Sequence, residues 1–570
     1  MTRNTNVLLL WAGVAGALAT EASAQEGRVP IEYTRQTCEA HWRDTAREIL
    51  RRAGFDEGAT YSAKEFGAAR KEMRGFHKAL ELSVRNGRLY CSVNQEFVAK
   101  GNNGKWYRMY YYVRRLVELI AISKGREPGL PDIDFIAHVS DQPRIWGSGK
   151  PRPVMGVSGT HFTRDLAAVP FTSFVDMGGI KEHAALREIA EGADFRDRWL
   201  KRKHGAFFCG SPSDCYTDSM PKGADPKAQC PRIKAVSDAH AEGAPKALEG
   251  VKICYGQFTN PSELMKKYGL NRKSLEPFHA PSEHARLIAT YRYLVNLDGA
   301  GPWSRRLSVL LGAGGAVLNH VSYGWQFYDA GMKEGVHLYR FFTAPHMATL
   351  REVANFCKDG CSAAIERVRE EEQAALSLNE LVEKLEAMEE EVDAKGLRAP
   401  DPVPFDDDFS STVSSLITVK ELREDKFIPK PKPSAKARRG LLWANATARR
   451  HLLNDPSTWM PPRFVARTSE NFVSRCMRHA YINKFVGIFL EELAKHQTDE
   501  KLKMGDGPGA ARMGKPVDIT QTGISKSGEP CNGRPLAHRD ERNLINDLKR
   551  YGRTRGRGER HLNRRKRNGA

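Results

Sequence analysis

Apolar positions recur at helical spacing through about residues 30–125, interleaved with basic residues, and Met109–Ser123 (MYYYVRRLVELIAIS) carries the clearest stripe. Leu130-Pro131 interrupts that pattern, and a short apolar run from Asp134 to Val139 then predicts a strand that ends at Ser140-Asp141. Further strands are predicted over Val169–Phe174 and over Ala206–Phe208, the latter running into Cys209-Gly210-Ser211-Pro212. Residues 213–250 read as loop. The fullest unit follows: a strand at Tyr293–Leu297, a turn at Asp298–Gly301, a helix from Pro302 to Gly312–Gly315, and a strand at Ala316–His320. Another short strand closes at Tyr339. A Glu-rich helix or helix pair spans Ala363–Ala394, residues 398–440 have linker composition, and Asn471–Lys495 is amphipathic and helical. Strands alternating with helices predict an α/β fold with largely parallel sheets.

The amino terminus has a different character. Arg3, an apolar run over Val7–Ala19 and Ala22-Ser23-Ala24 form a secretory signal with a small-residue cleavage site. Its apolar core is shorter than the ~18 residues of a spanning helix, which favours a cleaved signal over the alternative of an uncleaved short anchor, and no run elsewhere reaches that length. Ten cysteines in a secreted chain, none spaced C-x-x-C, predict disulfides rather than zinc. Asn445-Ala-Thr447 is the one glycosylation sequon. The formal charge is +20, from 89 Lys+Arg against 69 Asp+Glu. Arg553–Ala570 alone carries seven Arg, one Lys and one Glu, with almost nothing to bury, so it predicts a disordered tail. Its Arg-Gly dipeptides would suit nucleic-acid phosphates, but a secretory signal argues against that partner. Weak contact with acidic surfaces is the use left to it.

Chemistry concentrates at the Gly299–Gly301 turn. The third glycine of a dinucleotide fingerprint is replaced by Ser304, so the pattern does not indicate NAD. Arg305 and Arg306 stand directly behind the turn, at the end of a helix where cations are normally unfavourable. An anionic ligand, such as a diphosphate, would account for them. Asp141, at the carboxyl end of a predicted strand, is either a general base or a turn cap before Gln142-Pro143. Asp132-Ile-Asp134 matches a short metal-binding pattern that is commoner as plain strand start, and His279 and His284 read as surface histidines.

In one order along the chain, LPDIDFIAHVSDQPR (Leu130–Arg144), FFCGSPS (Phe207–Ser213), YRYLVNLDGAGPWSRRLSVLLGAGGAVL (Tyr291–Leu318) and WQFYDAGMKEGVHLY (Trp325–Tyr339) resemble the capsule-associated and protein O-glucosyltransferase family. The resemblance implies a GT-B architecture: two facing Rossmann-like domains with peripheral helices. On that reading 1–24 is the signal, 25–175 the acceptor-side domain, 176–395 the nucleotide-sugar domain, 396–465 an insertion or linker, 466–500 a helical region and 501–570 the basic tail. It implies inverting transfer of glucose or xylose from a UDP-sugar to a protein or polysaccharide hydroxyl in the endomembrane lumen or outside the cell, with no metal and no cofactor. Asp141 corresponds to the family's base. Arg306 corresponds to its diphosphate-binding arginine if Pro302 is an insertion, and Arg305 if not. Gly299, Gly301, Ser304, Gly210 and Ser211 complete the implied donor site.

The chain departs from the family at two positions. Cys209 stands where relatives carry an arginine before Gly-Ser, and Gln326 where many carry Glu. Either Lys203 or Arg305 compensates for the first, or donor affinity is reduced, or Cys209 is tied in a disulfide and the site is altered. A catalytically degenerate glycan-binding relative is the alternative reading.

Overall fold

The computed structural model describes residues 33–92, 130–169, 177–213, 225–299, 305–345, 361–396 and 459–498, with short breaks that include 57, 74–78, 86–87, 139, 141–142, 148–149, 191–193, 258 and 478, together with Val353 and Cys357. Two helices open the fold: α1 (Arg35–Arg52) and α2 (Ala63–Glu72). Each starts at a reciprocal capping box, Thr34 with Thr37 and Ser62 with Glu65, which satisfies amide groups the first turn leaves open.

The first sheet is five-stranded and mixed. Its strands are β1 (Ala79–Arg85), β2 (Arg88–Ser92), β3 (Ile133–His138), β4 (Val154–Gly156) and β6 (Leu166–Ala167), with β5 (Ser158–Thr160) standing outside it. The order is β2-β1-β3-β4-β6, antiparallel across β1 and parallel from β3 onward. The β1–β2 hairpin corrects the all-helical expectation for residues 30–125. Leu80, Leu82 and Val84 alternate with Glu81, Ser83 and Arg85, a period-two strand pattern too short to stand out from the helical spacing on either side of it. The expected Met109–Ser123 helix lies outside the described residues. Of the strand expected at Val169–Phe174, Val169 is not in a strand and 170–174 lie outside the described residues; a short strand pairs just before it, at Leu166–Ala167.

Helices α3 (Met177–Ala190) and α4 (Phe195–Leu200) lead into the second sheet. Then come β7 (Lys203–Gly210), α5 (Pro231–Ala239), β8 (Gly250–Tyr255), α6 (Pro261–Tyr268), β9 (Leu275–Pro277), α7 (Pro281–Thr290), β10 (Tyr291–Asn296), α8 (Arg305–Leu311) and β11 (Ala316–His320). Short β12 (Gly324–Gln326) and β13 (Tyr339–Phe341) follow. The six-stranded order is β13-β11-β10-β7-β8-β9, and every neighbour pair is parallel. The strand–turn–helix–strand unit read from the sequence is present, with β11 at the expected residues. Residues 213–250, expected to be loop, instead contain α5, whose Ile233, Ala235 and Val236 pack into the core beneath the sheet. Pro231 at its first position hides the helix signal from a count that treats proline as punctuation.

The Glu-rich segment is a helix pair, α9 (Ser362–Ala374) and α10 (Leu378–Ala394). The chain returns through α11 (Pro462–Arg475) and α12 (His479–Ala494), and α11 packs on α8 and β11. Trp459, Met460 and Val465 are buried, so the core resumes within what composition marks as linker. α12 packs along α1, and the Cys38–Cys476 disulfide pins these distant segments together. An antiparallel ribbon of β5 with β12 connects the neighbourhoods of the two sheets. Among the described residues no helix is long and apolar enough to cross a membrane.

Candidate donor site at the sheet switch point

In the second sheet the chain builds outward from β7 to β9, then returns to the other side of β7 with β10 and builds away again. The reversal leaves a crevice beyond the carboxyl ends of β7 and β10, the place where open parallel sheets bind ligands. Two arginines converge there. Arg306, second residue of α8, donates to the Leu297 carbonyl (3.3 Å) and more weakly to the Cys209 carbonyl (3.4 Å), and its guanidinium lies 4.9 Å from the Phe208 ring centre. Arg232, second residue of α5, donates to the carbonyls of Ser211 (2.5 Å) and Leu297 (2.9 Å) and to the Ser213 hydroxyl (2.8 Å). Its guanidinium is buried and 5.8 Å from the same ring. Two cations therefore share one aromatic ring and one carbonyl acceptor. Like charges held this close in a partly desolvated place are costly unless an anion offsets them.

The glycines of the site follow from this crowding. A Cβ on Gly210 would come within 2.7 Å of Arg306 Nη2, and one on Gly299 within 3.2 Å of Arg232 Nη2. At Gly210 a side chain would force the Arg306 guanidinium to shift, and at Gly299 it would crowd that of Arg232, so both glycines let a guanidinium lie against the backbone. Arg305 opens α8; Gly301 and Ser304 lie outside the described residues. Lys203 sits at the amino end of β7, stacked over Tyr291, so it cannot stand in for an arginine at position 209. Cys209 is disulfide-bonded to Cys254. Arg232 supplies the cation at that strand end instead. Sequence reasoning missed it because it stands in a segment read as loop, and the helix-opening Cys230-Pro231-Arg232 was its one available signal.

The turn after β10 also reaches the β12 segment. The Ser322 hydroxyl donates to Asp298 and accepts from the Gly324 amide (3.1 Å). Beyond β12, Asp329 accepts from the Gln326 amide (2.8 Å), while its Oδ1 is buried with no hydrogen-bond partner among the described residues. Burial, with the Asp298 charge adding to it and Arg52 and Arg340 opposing it, pushes the Asp329 carboxyl up to about 7. Arg52 lies 4.6 Å from the Trp325 ring, carrying α1 to the same place.

Asp141 lies outside the described residues, but both anchors of its loop are described. His138 at the end of β3 pairs with Asp165 at 2.7 Å, with both side chains fully buried. The other Asp165 contacts are to the amides of Arg144 (2.9 Å) and Ile145 (2.6 Å). A single carboxylate thus clamps the chain on either side of residues 139–143. Asp134 of the Asp-x-Asp pattern is ion-paired with Arg85, and no metal-like cluster occurs among the described residues. His284 Nδ1 lies 3.2 Å from Glu182 on α3, and His279 lies 3.0 Å from Glu276 and 3.4 Å from Glu283, so carboxylates contact both histidines.

A known protein family matches this architecture: the sequence profile of glycosyl transferase family 90 covers residues 61–374. The chain belongs to glycosyl transferase family 90. The matched stretch contains both sheets, the switch-point arginines and the Asp165 clamp, so the glycosyltransferase assignment rests on the part of the chain that forms the crevice. No curated protein shows significant similarity to the chain.

Proposed function

We propose that this family 90 glycosyltransferase moves glucose or xylose, with inversion, from a UDP-sugar to a hydroxyl of a protein or glycan acceptor in an oxidising, secretory compartment. The observation that carries the reading is the pair Arg232 and Arg306 at the β7–β10 switch point. Departure of UDP places growing negative charge on the diphosphate, and preorganised guanidinium groups stabilise that charge with little reorganisation. Both arginines are already held by backbone carbonyls, so their positions do not depend on the ligand.

Asp141 is the base in this scheme. An acceptor hydroxyl is a poor nucleophile at neutral pH, and a carboxylate within hydrogen-bond reach takes its proton as the new C–O bond forms. Asp165 supports the role by holding the residues on either side of position 141, His138 and Arg144-Ile145, to one carboxylate. Two cations at the diphosphate make a metal unnecessary. The test is a panel of UDP-sugars incubated with the secreted protein, with free UDP as readout. Turnover with UDP-glucose or UDP-xylose is the expected result. Binding without UDP release from any donor, across a range of acceptors, would refute transfer and favour a glycan-binding relative.

A further inference from the structure

The donor site has an unusual foundation. β7 ends at Gly210, whose last register partner on β8 is Ile253, and the Cys209–Cys254 disulfide closes diagonally over that final rung with a Cα–Cα separation of 5.2 Å. Both cysteines are buried. The three residues at this strand end are the ones the arginines use: the Cys209 carbonyl accepts from Arg306, Gly210 lies beneath its guanidinium, and the Ser211 carbonyl accepts from Arg232. Cys230, the residue that caps α5 just before Pro231 and Arg232, is itself disulfide-bonded.

Resting on the donor-site reading above, we propose that the Cys209–Cys254 disulfide is a positioning element of the diphosphate site, fixing the carboxyl end of β7 as the platform on which Arg306 and Arg232 dock. Strand ends open more readily than strand centres, because they lack ladder bonds on one side. A cross-link at the last rung removes that freedom. The 3.4 Å contact from Arg306 to Cys209 is near the limit of a hydrogen bond, so a small displacement of the strand end loses it. Misplacement of a charge-stabilising group by a fraction of an ångström weakens its interaction with an anion even when the fold survives. The cysteine that replaces an arginine in the chain's own site thus serves that site through its backbone.

The experiment measures UDP affinity by calorimetry on the full-length, oxidised protein. C209A/C254A is expected to bind UDP about tenfold more weakly, the scale of one weakened charge-assisted hydrogen bond. C38A/C476A removes a disulfide far along the chain from the crevice and is the control. It is expected to lower the unfolding temperature while leaving UDP affinity within about twofold, since it touches neither arginine. If the alanine pair does not fold, C209V/C254A restores the lost volume and is read the same way. A folded Cys209/Cys254 variant with wild-type UDP affinity overturns the proposal, and so does an equal loss in the control. Absence of UDP binding in the wild-type protein would instead overturn the donor-site reading itself.

Discussion

Asp329 offers a direct test of how the junction near the donor turn is built. Its carboxyl is pushed from 3.8 to about 7, chiefly by burial, with Asp298 adding to the effect and Arg52 and Arg340 opposing it. The unfolded chain therefore ionises Asp329 well before the native protein does. Stability from this group is complete below about pH 4, falls as pH rises from 4 to 7, and is flat above that. A difference of roughly three pH units at about 1.4 kcal/mol each sets an upper limit of about 4 kcal/mol. Asp329 keeps some exposed surface although its Oδ1 is shut off, so water reaches part of the charge.

Asp329→Asn keeps an oxygen for the Gln326 amide and removes the ionisation. It should therefore stabilise the protein by about 2–4 kcal/mol at pH 8 and by almost nothing near pH 4. Urea denaturation of the wild-type and variant proteins at both pH values, with disulfides intact, reads this directly. Taking the difference between the two proteins cancels every other titrating group that does not contact residue 329. A variant gain that is the same at pH 4 and pH 8, or a loss at both, would refute the reasoning.

Four further outcomes follow from the site. Asp141→Asn should abolish transfer while UDP binding stays within about twofold, because the base acts on the acceptor and not on the leaving group; full activity would remove Asp141 from the mechanism. Arg232→Ala and Arg306→Ala should each weaken UDP binding by roughly ten- to a hundredfold, as expected for a charged hydrogen-bond donor, measured by calorimetry. Gly210→Ala should raise the donor KM by displacing the Arg306 guanidinium, since its Cβ would come within 2.7 Å of Nη2; an unchanged KM would show that the arginine moves freely. Asp165→Asn should lower kcat at unchanged UDP affinity, because it weakens the contacts to His138, Arg144 and Ile145 that flank position 141 and touches neither Arg232 nor Arg306.

The fold was most legible where local signals agree. At Tyr291–His320, an apolar run, a Gly turn, a helix stop and a second apolar run define one strand–helix–strand unit, and the structure has it. Legibility failed at β1, where the short alternation of Leu80, Leu82 and Val84 with Glu81, Ser83 and Arg85 is submerged in a long stretch of helical spacing, and where a proline opens a helix, as in α5. The second failure concealed Arg232, a cation held at the strand end where the family resemblance expects an arginine in place of Cys209. Along the chain, position 209 is a lost cation. In three dimensions the strand end at Gly210 and Ser211 is served by two cations that reach it from different helices, twenty-two residues further on to Arg232 and almost a hundred to Arg306. A motif scored residue by residue penalises the cysteine, but the anion senses only the field at the crevice. That field depends on where guanidinium groups converge: the β7–β10 reversal brings their two helices to one strand end, and on the proposal above the Cys209–Cys254 disulfide holds that strand end in place.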